Sequence, residues 1–160
     1  MKYLTFLLFS CLIACSNAKV SSIDTAPSAT HFGKVIGTVS GNNVQLTANQ
    51  SELADSWHSA ADRSELGFER FEIKRENDRF YLLGTDADSN TSGLVELVSD
   101  SGRLYEKKMD GSGRYMLCSG CKGEGGRPKL SETGGSYCTD CTTGKCEKTS
   151  GLTDYPVLGK

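Results

Sequence analysis

Phe71 and Ile73 alternate with Glu72 and Lys74, the period-two pattern of a strand with one buried face and one wetted face. Asn77-Asp78 then marks a turn, and Phe80 to Leu83 form a denser apolar strand. "GLVELVS" (93–99) and "RLYEKKM" (103–109) repeat the pattern, separated by Asp100-Ser101-Gly102. Tyr115-Met116-Leu117 predict a last strand leading into a run of cysteines. Upstream, "FGKVIGTVSGNNVQLTA" (32–48) predicts two strands around Gly41-Asn42-Asn43, residues that tolerate the positive φ of tight hairpins.

Between these strand regions the period changes. In "NQSELADSWHSAADRSELG" (49–67), Leu53, Trp57 and Ala60 or Ala61 recur at helical spacing, so one helix face is apolar. Asn49 or Ser51 is placed to cap its start, with Glu52 three residues after Asn49 as in a capping box. Gly67 is placed to stop it. Trp57 shares the face of Leu53 and is expected to anchor the helix in the core.

Two strands, a helix and an antiparallel meander of about four strands predict an α+β fold, with the helix covering one face of a small sheet. This domain is expected over residues 31–117. A loop-rich, cysteine-stapled tail is expected over 118–160, almost bare of large apolar residues until Tyr155-Pro156-Val157-Leu158. Those residues either tuck back onto the domain or trail from it. Residues 15–30 are rich in Ser, Ala and Thr and read as a flexible tether.

The chain opens "MKYLTFLLFSCLIAC". Lys2 supplies a positive start, and Tyr3 to Ala14 are uncharged and apolar. That run is shorter than the roughly twenty residues of a membrane-spanning helix and fits the apolar region of an export signal. Its end, Leu12-Ile13-Ala14-Cys15, resembles the lipobox of bacterial lipoproteins. The resemblance covers only these first fifteen residues and names no family for the rest. It implies a signal peptide over 1–14 and a lipid on Cys15, so that the membrane is a partner through that anchor. Ser16, not Asp, follows the cysteine, which implies the outer membrane if the host is Gram-negative. The competing readings are ordinary signal cleavage near Ala18, releasing a secreted protein, and Cys11 and Cys15 as incidental apolar residues.

Charge narrows the partners. The chain carries a net charge of −2, and loss of residues 1–14 removes only Lys2. No basic patch stands out, so nucleic acid is not expected to bind. With one Trp and 18 Gly, the core is expected to be modest and to benefit from staples.

The staples are expected in the tail. Cys118, Cys121, Cys138 and Cys141 form two Cys-x-x-Cys pairs sixteen residues apart, a spacing that reads as a zinc site. Gly123 and Gly144 suit the tight turns of such knuckles. The stretch from Cys118 to Gly125 also resembles one repeat of the cysteine-rich domain of J-domain co-chaperones. The second pair departs from that repeat, and no chaperone function follows. The compartment argues differently, because thiols exported from the cytoplasm oxidise. Disulfides among Cys118, Cys121, Cys138, Cys141 and Cys146 are therefore the leading reading, with the pairing open and one cysteine left over. Zinc is the alternative. Thiol redox catalysis is a third reading, weakened because no helix follows either pair.

Other chemistry is sparse. His58 near Asp55 reads as a helix-surface histidine, and "GTVSG" (37–41) misplaces its serine for a hydrolase elbow. Asp86, Asp88 and Asn90 stand at calcium-loop positions, but Thr91 replaces the glycine and Leu97 the terminal glutamate, so a polar hairpin loop is favoured. No cofactor is assigned. The expectation is a cell-envelope lipoprotein with a non-catalytic binding or scaffold role. A zinc-binding lipoprotein and a thiol-disulfide oxidoreductase are the alternatives.

Overall fold

The computed structural model describes residues 30–61, 67–88, 90–133, 135–154 and 156–159. Cys11, Cys15 and the lipobox lie outside the described residues. Ten strands and one helix follow in the order β1 (His31–Ser40), β2 (Asn43–Leu46), α1 (Gln50–Ala61), β3 (Phe68–Glu76), β4 (Arg79–Asp86), β5 (Ser92–Asp100), β6 (Arg103–Lys107), β7 (Gly113–Gly125), β8 (Pro128–Leu130), β9 (Ser136–Cys138) and β10 (Cys141–Thr153).

The turn residues and the Asn49 cap act as the sequence implies. Asn77 and Asp78 both take positive φ, 49° and 58°, which matches the strand twist across the β3–β4 hairpin. Ser101 and Gly102 do the same between β5 and β6. Asn49 caps α1, its Oδ1 accepting the N–H of Ser51 at 2.9 Å and of Glu52 at 3.4 Å. The Glu52 carboxylate pairs with Lys34 at 3.0 Å.

Eight strands form one antiparallel sheet that nearly closes as a barrel. β5 is its hub. One edge of β5 pairs with β4, while the other pairs with β7 through Ser92–Val95 and with β6 through Leu97–Asp100. β6 pairs on with β1, and β1 with β2. Ile36, Leu82, Val95, Leu97 and Leu104 form the core with Leu53, Trp57 and Ala60 of α1. Trp57 is fully buried and meets Phe68 edge-on, with ring centroids 5.1 Å apart. Gly93 makes room for it, since a Cβ there would stand 2.7 Å from the indole.

The fold departs from expectation in three ways. It is mostly β with one short helix, where an α+β meander was expected. The meander also ends at β6, because β6 takes β1 as its second neighbour and β7 returns to β5. Finally, the tail is not loop-rich. β7 runs without a break through Leu117 and Cys118 to Gly125, and β10 pairs with it over thirteen residues. A backbone ladder and cross-links order that ribbon rather than an apolar face, so its Gly, Ser and Thr residues show no apolar alternation.

The last residues tuck in. Val157 and Leu158 are buried in the core, where Glu106 receives them. Its Oε1 accepts the N–H of Val157 and its Oε2 that of Leu158, each at 2.8 Å. Glu106 is 1% exposed, and burial pushes its carboxyl up to about 7 although both N–H groups favour the charged form.

Candidate functional site: a three-sulfur cluster beside a hairpin

The cysteine region is built on the β7–β10 ladder. Lys148 stands opposite Cys118, Glu147 opposite Ser119 and Gly144 opposite Cys121. Two residues of β10, Lys145 and Cys146, therefore face one of β7, Gly120, in a β-bulge. Gly120 is required there, because its φ is +83° and a Cβ would stand 2.8 Å from the Lys145 carbonyl.

Both disulfides join one Cys-x-x-Cys to the other. Cys118 bonds Cys138 with Cα atoms 5.8 Å apart, and Cys121 bonds Cys141 at 5.5 Å. Both separations lie within the range that a disulfide spans. The four residues that the alternative reading gives to zinc are thus the four cystine residues, as the leading disulfide reading expects. The first pair does not form a knuckle either, as it lies within strand β7. The second forms the corner from β9 to β10, where Thr139 accepts the Arg127 N–H and donates its own N–H to the Arg127 carbonyl.

Cys146 is the leftover thiol. It shares a face of β10 with Lys148, so it lies on the side of Cys118. The Sγ atoms of Cys118, Cys138 and Cys146 all lie within 4.8 Å of one another. Burial pushes the Cys146 thiol above its usual range, which favours the neutral form.

The bridges hold the β8–β9 hairpin over the outer face of the sheet. Leu130 packs there with Tyr81, Leu83 and Leu94 in a second, smaller cluster. Arg79 donates to the Ser131 carbonyl at 3.0 Å and pairs with Glu96 at 3.0 Å, and Lys107 reaches the same Glu96 oxygen at 2.9 Å. Beside the hairpin, Leu94, Glu96, Lys107, Met109 and Leu130 line a narrow cleft. No nucleophile paired with a base lies in it among the described residues.

The remaining candidates lie away from this cluster. Asp86 Oδ2 accepts the Thr91 N–H at 3.0 Å and closes the β4–β5 hairpin. His58 Nε2 is buried without a partner, and no hydrogen bond joins His58 to Asp55 among the described residues. The Glu106 anchor was missed in the sequence, although its signal is there: in "RLYEKKM", Glu106 falls in phase with buried Leu104. No protein-family model, no curated protein and no solved structure matches this chain.

Proposed function

We propose that the chain is an exported lipoprotein, anchored through Cys15, whose β domain serves a non-catalytic binding or scaffold role in an oxidising compartment. One observation carries this reading: two disulfides cross-link the two Cys-x-x-Cys pairs of a chain that opens on a lipobox-like segment. Such bridges persist outside the cytoplasm, and two acyl chains or more on Cys15 give stable anchoring where one would be marginal. The cleft beside the β8–β9 hairpin, with an apolar wall and the Glu96–Lys107 pair, is the surface best suited to a ligand.

Palmitate labelling of wild type and Cys15→Ser tests the anchor, and equal label in both overturns it. Native and denaturing intact mass tests the staples. Two disulfides lower the mass by about 4 Da, whereas zinc adds about 65 Da and leaves on denaturation.

The oxidoreductase reading has one observation in its favour, the Cys146 thiol beside a disulfide. A thiol raised by burial, with no helix N-terminus beside it among the described residues, makes a poor general catalyst. Robust insulin reduction, lost on Cys146→Ser, would establish that reading in place of the scaffold.

A further inference from the structure

We propose that Cys146 and the Cys118–Cys138 disulfide form an intramolecular exchange site that releases the β8–β9 hairpin from β7. Three observations place it. The three sulfurs lie within 4.8 Å of one another. The β7–β10 register puts Cys146 two residues from Lys148, the partner of Cys118, on the same face of the ribbon. The bulge between Gly144 and Glu147 bends β10 at that point, and bulges re-aim side chains in this way.

The step conserves electrons. Cys146 loses its proton to solvent, and its thiolate attacks the Sγ of Cys118. The Cys118–Cys138 bond breaks, a Cys118–Cys146 bond forms, and Cys138 leaves as a thiolate that takes a proton from solvent. One thiol and one disulfide remain, and no oxidant or reductant takes part.

Attack at Cys118 is favoured over attack at Cys138 by what each leaves behind. Cys118 is fully buried, and a thiolate released there would be desolvated. Cys138 is half-buried, and its sulfur lies 3.9 Å from the Leu117 carbonyl, which can accept the new S–H. The new bond joins two strands that are already paired. The broken bond is the one that fastens β9 to β7. Of the two bridges Cys121–Cys141 remains, tying β7 to the start of β10. The hairpin is then held by non-covalent contacts such as Arg79 to the Ser131 carbonyl and Leu130 on Tyr81, Leu83 and Leu94, from which it is free to lift.

The test uses the oxidised chain without reductant. It is equilibrated at mildly alkaline pH, quenched in acid, unfolded and alkylated, and its cysteines are mapped by mass. The expected result is label on both Cys146 and Cys138, together with a Cys118–Cys146 peptide. Cys146→Ser abolishes the Cys138 label. Blocking Cys146 on the folded wild type before equilibration does the same, and keeps the test independent of whether the variant folds. Label on Cys146 alone, or on Cys118 in place of Cys138, overturns the proposal.

Discussion

β5 and β10 belong to one sheet and are held by different means. β5 buries Ser92, Gly93, Leu94, Val95 and Leu97 and has neighbours on both edges. β10 is longer, yet it buries only Thr153 and pairs with β7 alone. Ordering each backbone residue costs about 1–2 kcal/mol, and around β5 the hydrophobic core offsets this. At the outer end of β10 no such burial exists, and the two cystines act by restricting the unfolded chain. The molecule is therefore part hydrophobic barrel and part cross-linked ribbon, joined through β7.

The comparison breaks first at Trp57. Trp57→Ala removes the largest fully buried side chain and should cost about 3–5 kcal/mol. Because the indole acts in the barrel, urea melts should show the same loss with the disulfides reduced as with them intact. A loss confined to the oxidised protein would show that the ribbon supports the core. The converse change is Cys118→Ala with Cys138→Ala. A bridge closing a loop of 20 residues contributes about 3 kcal/mol. Hydrogen exchange should speed at 119–125 and 141–147 and stay slow in β4 and β5. The second bridge starts three residues further along on each side, so once the first is closed it adds only about 2 kcal/mol.

The same division decides what could be read from the sequence. β3 to β6 were legible because each pairs with its chain neighbour across a short polar turn, two of which take positive φ at Asn77-Asp78 and Ser101-Gly102. The helix was legible from Leu53, Trp57 and Asn49. β10 was not, since a strand with no buried face leaves no apolar period. Its pairing with β7 and the return of β7 to β5 are non-local and leave no mark in any short window. At the site, the export-like start argued for disulfides against a spacing that argued for zinc. The connectivity was beyond reach, because the spacing of five cysteines leaves every pairing open. Glu106 was readable by phase alone, as a carboxylate placed where a strand points inward.

Glu106 gives the barrel a pH signature in the acid-to-neutral range. Its carboxyl is raised from 4.5 to about 7 in the folded state, so the fold binds its proton more tightly than the unfolded chain does. Stability from this group is full below pH 4.5, falls as pH rises, and is lost above about 7, a change of about 3 kcal/mol. Urea midpoints at pH 5 and pH 8 should therefore differ more in wild type than in Glu106→Gln, whose side chain does not ionise. Equal pH dependence in the two proteins would remove Glu106 as the cause.

The smallest effect tests the independence of the two regions most directly. Asn49→Ala removes the acceptor for the Ser51 and Glu52 N–H groups and should cost about 1 kcal/mol. Asn49 and the two cystines have no hydrogen-bond partner in common among the described residues, and the helix packs on β3 and meets β7 at Tyr115, away from the cystines. Its cost should therefore add to that of Cys118→Ala with Cys138→Ala within about 0.5 kcal/mol, as for distant sites with no shared partner. A larger coupling in the triple variant would mean that β7 transmits strain from the cystines into the barrel, so that barrel and ribbon unfold as one unit despite being held by different forces.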